Sequence, residues 1–331
     1  MLKLSLTHIF GFLLLLVFVL PVSAETEQER AEALFQEGYT LYQRLLRPIA
    51  ITPLEKAANL QHAEAAYWVG EILRKRYTYM TEEAEQFYRQ AAEGGEVYAM
   101  LRFAQKGNMC GTLRDCDYDR DEWLERAMEI ALPNAEAGDT EAMIAVALAV
   151  GIGGDRDEGF EWVKRAAENG HAFAQYWLAT GLLGDREMGF YWTDEGRRED
   201  ILRWLKASAE QGFPKAILKL ALELKGGNRL EEANKWVDRM GQTDYYDALV
   251  NYGLILLQGP DGMFRYPEAK PVEGLAMLMA LRRQMGKSEV EELVDKYKAD
   301  LSARDIARAE KRSEELLVDT PIIYYLPKFG M

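Results

Sequence analysis

A glycine followed four residues later by an alanine recurs through the middle of this chain: Gly95/Ala99, Gly138/Ala142, Gly170/Ala174 and Gly212/Ala216. Two looser copies, Gln61/Ala65 and Asp244/Ala248, fall on the same ruler. Its first members stand at 61, 95, 138, 170, 212 and 244, so the intervals are 34, 43, 32, 42 and 32 residues. With Met285 as the next member the last interval is 41. A recurrence at about 20–50 residues means small units that cannot bury an apolar face alone and do so by stacking.

Both flanks of the ruler read as helix. Before it, apolar or small residues recur at i, i+3, i+4 and i+7: Ala84/Phe87/Tyr88/Ala91, Gly159/Trp162/Val163/Ala166, Ile201/Trp204/Leu205/Ser208 and Ala233/Trp236/Val237/Met240. That is one amphipathic face repeated. After it, the residue five past each ruler alanine is small (Gly70, Ala104, Ala147, Ala179, Ala221, Gly253), and the one before that is bulky (Val69, Phe103, Val146, Leu178, Leu220, Tyr252). A small residue lets a neighbouring helix approach, and the bulky one fills the space beside it. The ruler glycine suits the C′ position of a helix, where a left-handed backbone turns the chain sharply. The predicted unit is a helix pair, and composition agrees: only 10 of 331 residues are proline.

In EWVKRAAENG (161–170) and RWLKASAEQG (203–212), and in the alanine-to-alanine runs that follow them, the chain resembles the Sel-one-like repeat family, a relative of tetratricopeptide repeats. The resemblance covers roughly residues 30–318 and is most specific from about 80 to 225; the uneven intervals set it apart from ordinary ~34-residue tetratricopeptide units. It implies an all-α, right-handed superhelical solenoid of helix-turn-helix repeats with a concave groove, and a protein–protein adaptor role with no catalytic residues or cofactor to carry over. Some envelope proteins of the family act as immunity factors against toxins delivered into the periplasm, including lipase-type toxins of type VI secretion. Others, with a cysteine pair in nearly every repeat, are linked to penicillin binding; a single pair here counts against that reading and against a cell-wall or β-lactam hydrolase.

The expected organisation is a signal peptide over 1–24, a solenoid of about six to seven repeats over 25–318 and a tail over 319–331. Lys3 gives the leader its positive start, Ile9 to Leu20 its apolar run, and Val22-Ser23-Ala24 its cleavage site. The run is shorter than the ~18 residues of a spanning helix, a retained anchor being the alternative. No cysteine stands near the cleavage point to take a lipid. An exported, periplasmic protein is expected, with no membrane insertion once the leader is removed. Residues 288–317 read as two charged capping helices split near Leu301-Ser302, and the tail TPIIYYLPKFGM either packs over the last helix or is a free binding segment.

The formal net charge of −14 repels phosphate backbones and anionic lipid, which argues against nucleic acid and favours a basic protein partner, such as a toxin or envelope complex; solubility alone is the plainer reading. The long intervals place extra residues near 105–120, 184–199 and 258–271, on one edge of the stack. Two of these loops carry aromatics that no core face requires: Phe190, Tyr191 and Trp192, and Met263, Phe264, Arg265 and Tyr266. Aromatics and Arg dominate interface hot spots, so these are candidate contact residues; folding back onto their own repeat is the alternative.

Chemistry has few candidates. Cys110 and Cys116 in the first long loop are expected to form a disulfide in an exported protein, and without nearby histidine they make a poor zinc site. Asp115, Asp117, Asp119 and Asp121 alternate beside them, but Arg120 and Arg126 stand where a calcium loop needs Gly and Glu. These acids read as a solvated loop entering a helix. His62 and His171 follow ruler positions and read as turn residues, and no nucleophile elbow, paired-histidine metal motif or phosphate loop is present. Neither a metal nor a cofactor is expected.

Overall fold

The computed structural model describes residues 26–77, 79–105, 119–185 and 189–329. Its helices follow the ruler. The first three pairs are α1 (Glu27–Gln43) with α2 (Arg47–Asn59), α3 (Ala63–Tyr77) with α4 (Glu82–Glu93), and α5 (Val97–Ala104) with α6 (Arg120–Glu136). Next come α7 (Thr140–Gly153) with α8 (Arg156–Glu168), α9 (Ala172–Gly184) with α10 (Asp194–Glu210), and α11 (Pro214–Gly226) with α12 (Leu230–Met240). The last pair is α13 (Tyr246–Gln258) with α14 (Pro271–Met285), capped by α15 (Ser288–Lys298) and α16 (Ala303–Glu315). Among the described residues β pairing is limited to one isolated bridge, Tyr245 with Ile323. The chain is thus an all-α solenoid of helix pairs.

The turns between pairs are built as the glycines suggest. Gly95, Gly138, Gly170 and Gly212 have φ of +88°, +100°, +88° and +88°. In each, the glycine N–H donates to the carbonyl three residues back and the next N–H to the carbonyl five back, as in Gly170 to Ala167 (3.1 Å) and His171 to Ala166 (3.0 Å). This is the Schellman closure, which satisfies the last carbonyls of a helix while reversing the chain. Gln61 adopts the same turn at φ +65°. The looser members depart from it. Between α12 and α13 no residue is left-handed, and at the next turn the left-handed residue is Gly286, one past Met285. A Cβ on Gly170 would meet no atom within 4 Å, so only its backbone conformation resists substitution. Gly170→Ala is expected to cost about 1 kcal/mol in urea unfolding; an unchanged midpoint would contradict the turn.

Packing follows the columns read from sequence. Ala147, Ala179 and Ala221 are buried between pairs, as are Val69, Phe103, Val146, Leu178 and Leu220. A Cβ on Gly70 would lie 3.0 Å from the Tyr88 ring on the next helix, which is why that column is small.

The stack bends far enough to bring its ends together. Arg44, just past α1, donates to the Gln284 carbonyl in α14 (3.4 Å). The Tyr324 N–H donates to the Gln43 carbonyl of α1 (3.0 Å), while its ring lies 5.0 Å from Tyr246 in α13. One residue therefore touches the first pair and the seventh. Of the two expectations for the tail, the free segment is corrected: Ile322 is buried in one core cluster with Ala309 of the last helix, and the tail then crosses the inner face back to the N-terminal pairs.

Candidate functional site

The inner face is lined by the first helices of the pairs and by the turns that precede them. Gln43, at the end of α1, is buried and uses its side-chain amide to hold a main chain. Its Nε2 donates to the Leu326 carbonyl (3.0 Å) and its Oε1 accepts from the Leu326 N–H (2.6 Å). Opposite, the Ile323 N–H donates to the Asp244 carbonyl (3.0 Å) and the Tyr246 N–H to the Ile323 carbonyl (3.2 Å). The Tyr67 hydroxyl donates to the Lys328 carbonyl (2.5 Å). Residues 323–328 are thus gripped by main-chain hydrogen bonds from both ends of the stack, as an extended peptide is gripped in a groove.

Side chains add distinct pockets. Tyr325 packs edge-on against Phe213 and Tyr245 and donates its hydroxyl to Asp244 (2.6 Å). The Lys328 ammonium lies 3.0 Å from both Glu64 and Glu96 and 4.7 Å from the centre of the Tyr98 ring. Burial works against that charge, but Glu96 and Glu64 outweigh it and hold the lysine above its usual range. Burial raises Glu96 in turn, with Lys328 opposing. Tyr98 donates to Glu141 (2.6 Å), which also lies 3.2 Å from His171 Nε2. The Arg102 guanidinium carbon stands over the Phe329 ring, 3.9 Å from its centre. A cavity of about 430 Å³ opens beside the tail, lined by Pro214, Ile217, Arg239, Thr243, Asp244 and Tyr325 among others.

Beneath Phe329 is a buried ion network. Glu71 is fully buried and accepts from Arg102 (2.6 Å) and the Tyr88 hydroxyl (2.7 Å), with Arg74 at 3.0 Å and Lys75 at 3.1 Å. Burial pushes its carboxyl up, but the three cations and the Tyr88 hydroxyl win and hold it at about 2. The network ties α3, α4 and α5 beneath the tail's end.

The rim loops divide. Between α9 and α10, Tyr191 turns inward and donates to Asp200 (2.7 Å), while Phe190 and Trp192 on either side are 78% and 90% exposed. Between α13 and α14 the expected contact residues alternate. Met263 and Arg265 face solvent, whereas Phe264 is buried in the core and Tyr266 is buried and donates to Asp238 (2.5 Å). Phe264 and Tyr266 are therefore corrected as contact residues. They pack inward on either side of a turn, in which the Arg265 N–H donates to the Gly262 carbonyl (2.9 Å) and Arg265 itself is left-handed at φ +44°.

His62 and His171 serve as N-caps: Nδ1 of each accepts from the N–H three residues on (3.1 Å), and Nε2 of each stands 3.2 Å from Glu32 or Glu141. Asp119 caps α6, accepting from Asp121 and Glu122. Cys110, Cys116, Asp115, Asp117 and the leader lie outside the described residues. Among the described residues no three His, Cys, Asp or Glu side chains gather as metal ligands, and no helix is long and apolar enough to cross a membrane. Sequence reasoning missed Gln43, Glu71, Arg102, Glu64 and Glu96. The available signal was position: Glu71 and Arg102 adjoin Gly70 and Phe103 in the buried columns.

No protein-family model matches the sequence, and no curated protein matches it. Among solved structures the chain is similar to a protective antigen present in uropathogenic Escherichia coli strains displaying an SLR fold, with 19% identity over 89% of this chain and 68% of that one and a TM-score of 0.35. It is also similar to a Sel1 repeat protein from Oxalobacter formigenes, with 24% identity over 64% of this chain and 85% of that one and a TM-score of 0.36.

Proposed function

We propose that this chain is a non-enzymatic protein-binding scaffold of the Sel-one-like type that works in the periplasm. The observation that carries the reading is the Phe190–Trp192 pair. The two rings meet edge to face at 5.0 Å between centres and stand almost wholly in water, on a loop whose base is pinned by Tyr191–Asp200 and by Arg197 to the Leu182 carbonyl (2.9 Å). Large rings on a pinned loop lose little freedom when a partner covers them, which is what a hot spot requires. The excess of acidic residues favours a basic partner surface.

The test is the Phe190→Ala/Trp192→Ala double variant. Its thermal midpoint should match wild type, because neither ring is packed, while affinity for a partner captured from envelope extract should fall at least ~10-fold. Undiminished affinity would remove the rim from the interface. A narrower reading, neutralisation of a toxin delivered into the periplasm, is supported by the leader-like residues 1–24 together with the acidic charge. It requires that co-production of the chain rescue growth against a periplasm-directed toxin, and that the double variant fail to do so.

A further inference from the structure

We propose that the inner groove is a recognition site for an extended basic–aromatic segment of a protein partner, and that residues 322–329 sit there as a displaceable stand-in. The proposal rests on the scaffold reading but uses a different surface from the rim. The groove has the parts of a peptide site. Gln43 reads a main-chain N–H and C=O together, as an added strand would be read. Three side-chain pockets then follow in order: Phe213, Tyr245 and Asp244 for a hydroxylated aromatic; Glu64 and Glu96 for a cation; Arg102 with Tyr98 for a second aromatic. The cation pocket is richer in acid than one lysine needs. Glu141 stands behind Tyr98 and adds a third carboxylate, so the pocket favours a basic segment over an acidic one.

The tail fills this site under strain. Within that segment Tyr325 holds φ of +50°, and in the chain that leads into it Leu317 and Asp319 hold +58° and +57°, left-handed conformations that non-glycine residues rarely adopt. Such strain persists only where surrounding contacts impose it, and it gathers at ligand clamps and switch segments. From 321 to 329 only Ile322 is fully buried, and Pro321 and Pro327 are exposed. A partner segment that enters without these turns has the same hydrogen bonds and pockets available and none of the strain. The occupant is therefore a partner strand with an aromatic residue, a basic residue three positions on and an aromatic next to that, as in Tyr325, Lys328 and Phe329.

The experiment uses the full chain. A fluorescent peptide TPIIYYLPKFGM, and the same peptide with Glu in place of its Lys, are titrated into wild type and into the Lys328→Glu/Phe329→Ala variant, whose own tail is loosened at its far end. The expected result is at least ~10-fold tighter binding of the first peptide to the variant than to wild type, with no binding of the Glu peptide. In wild type, hydrogen exchange at the Tyr324 and Leu326 amides should be faster than in α7 and α8, because the tail opens without the stack. Three results overturn the proposal: a fully helical variant that binds neither peptide, tail amides that exchange only with the whole molecule, or a stable dimer that trades tails between copies. Any of these leaves partner capture through Phe190 and Trp192 untouched, so loss of the groove proposal and loss of the scaffold reading are separable.

Discussion

Replacing Glu71 by alanine should destabilise the protein by about 3–5 kcal/mol, because it removes the buried carboxylate that the Arg102 guanidinium pairs with in the core. Arg102 is 1% exposed and cannot turn to water. Arg74 and Lys75 are partly exposed and can. The companion variant Glu71→Leu/Arg102→Leu should regain most of the loss, since apolar residues in place of a buried pair are often neutral. Urea unfolding of the two variants decides it: equal losses in single and double would mean that the pair stabilises directly rather than merely avoiding a stranded charge. The pH dependence has a fixed sign. Glu71 ionises at about 2 in the folded chain and near the ordinary glutamate value when unfolded. The stability it contributes is therefore complete above about pH 4.5 and is lost as pH falls toward 2. In the double variant that acid-dependent part should be missing.

Gly274→Val should cost about 3 kcal/mol, more than any change at the ruler glycines. A Cβ there would lie 2.6 Å from the Gly253 carbonyl and 2.9 Å from the Leu257 amide nitrogen. Both are backbone atoms of α13, so α13 and α14 would have to separate, and forced separation of a packed pair costs about 1–3 kcal/mol or more. Gly274→Ala should show a smaller loss in the same direction. Thermal unfolding checks both: a valine variant within a degree of wild type would mean that the seventh pair is looser than its geometry states. The contrast with Gly170→Ala separates two uses of glycine in this chain, one for backbone conformation and one for close approach.

The two classes of feature explain how much was legible beforehand. The helix pairs, the left-handed turn glycines, the small and bulky columns and the split at Leu301-Ser302 are patterns within about a dozen residues. Each depends on local periodicity or on one backbone conformation. The rim was half legible. Composition flagged the loop aromatics, but the inward turn of Phe264 and Tyr266 depends on the space left by the seventh pair.

The sequence by itself determined the unit and the rule for stacking it, since a helix face and a turn are settled by residues close along the chain. Only the tertiary structure decided what the stack encloses. Curvature is the sum of small rotations at every junction, and no local pattern carries that sum. Because the sum brings the two ends of the stack together, the end of α1 comes within hydrogen-bond reach of the end of α14. Residues 322–329 thereby reach Gln43, Glu64, Glu96 and Arg102 more than 200 positions away, and a helix-surface glutamate, Glu71, becomes the buried centre of a charge network.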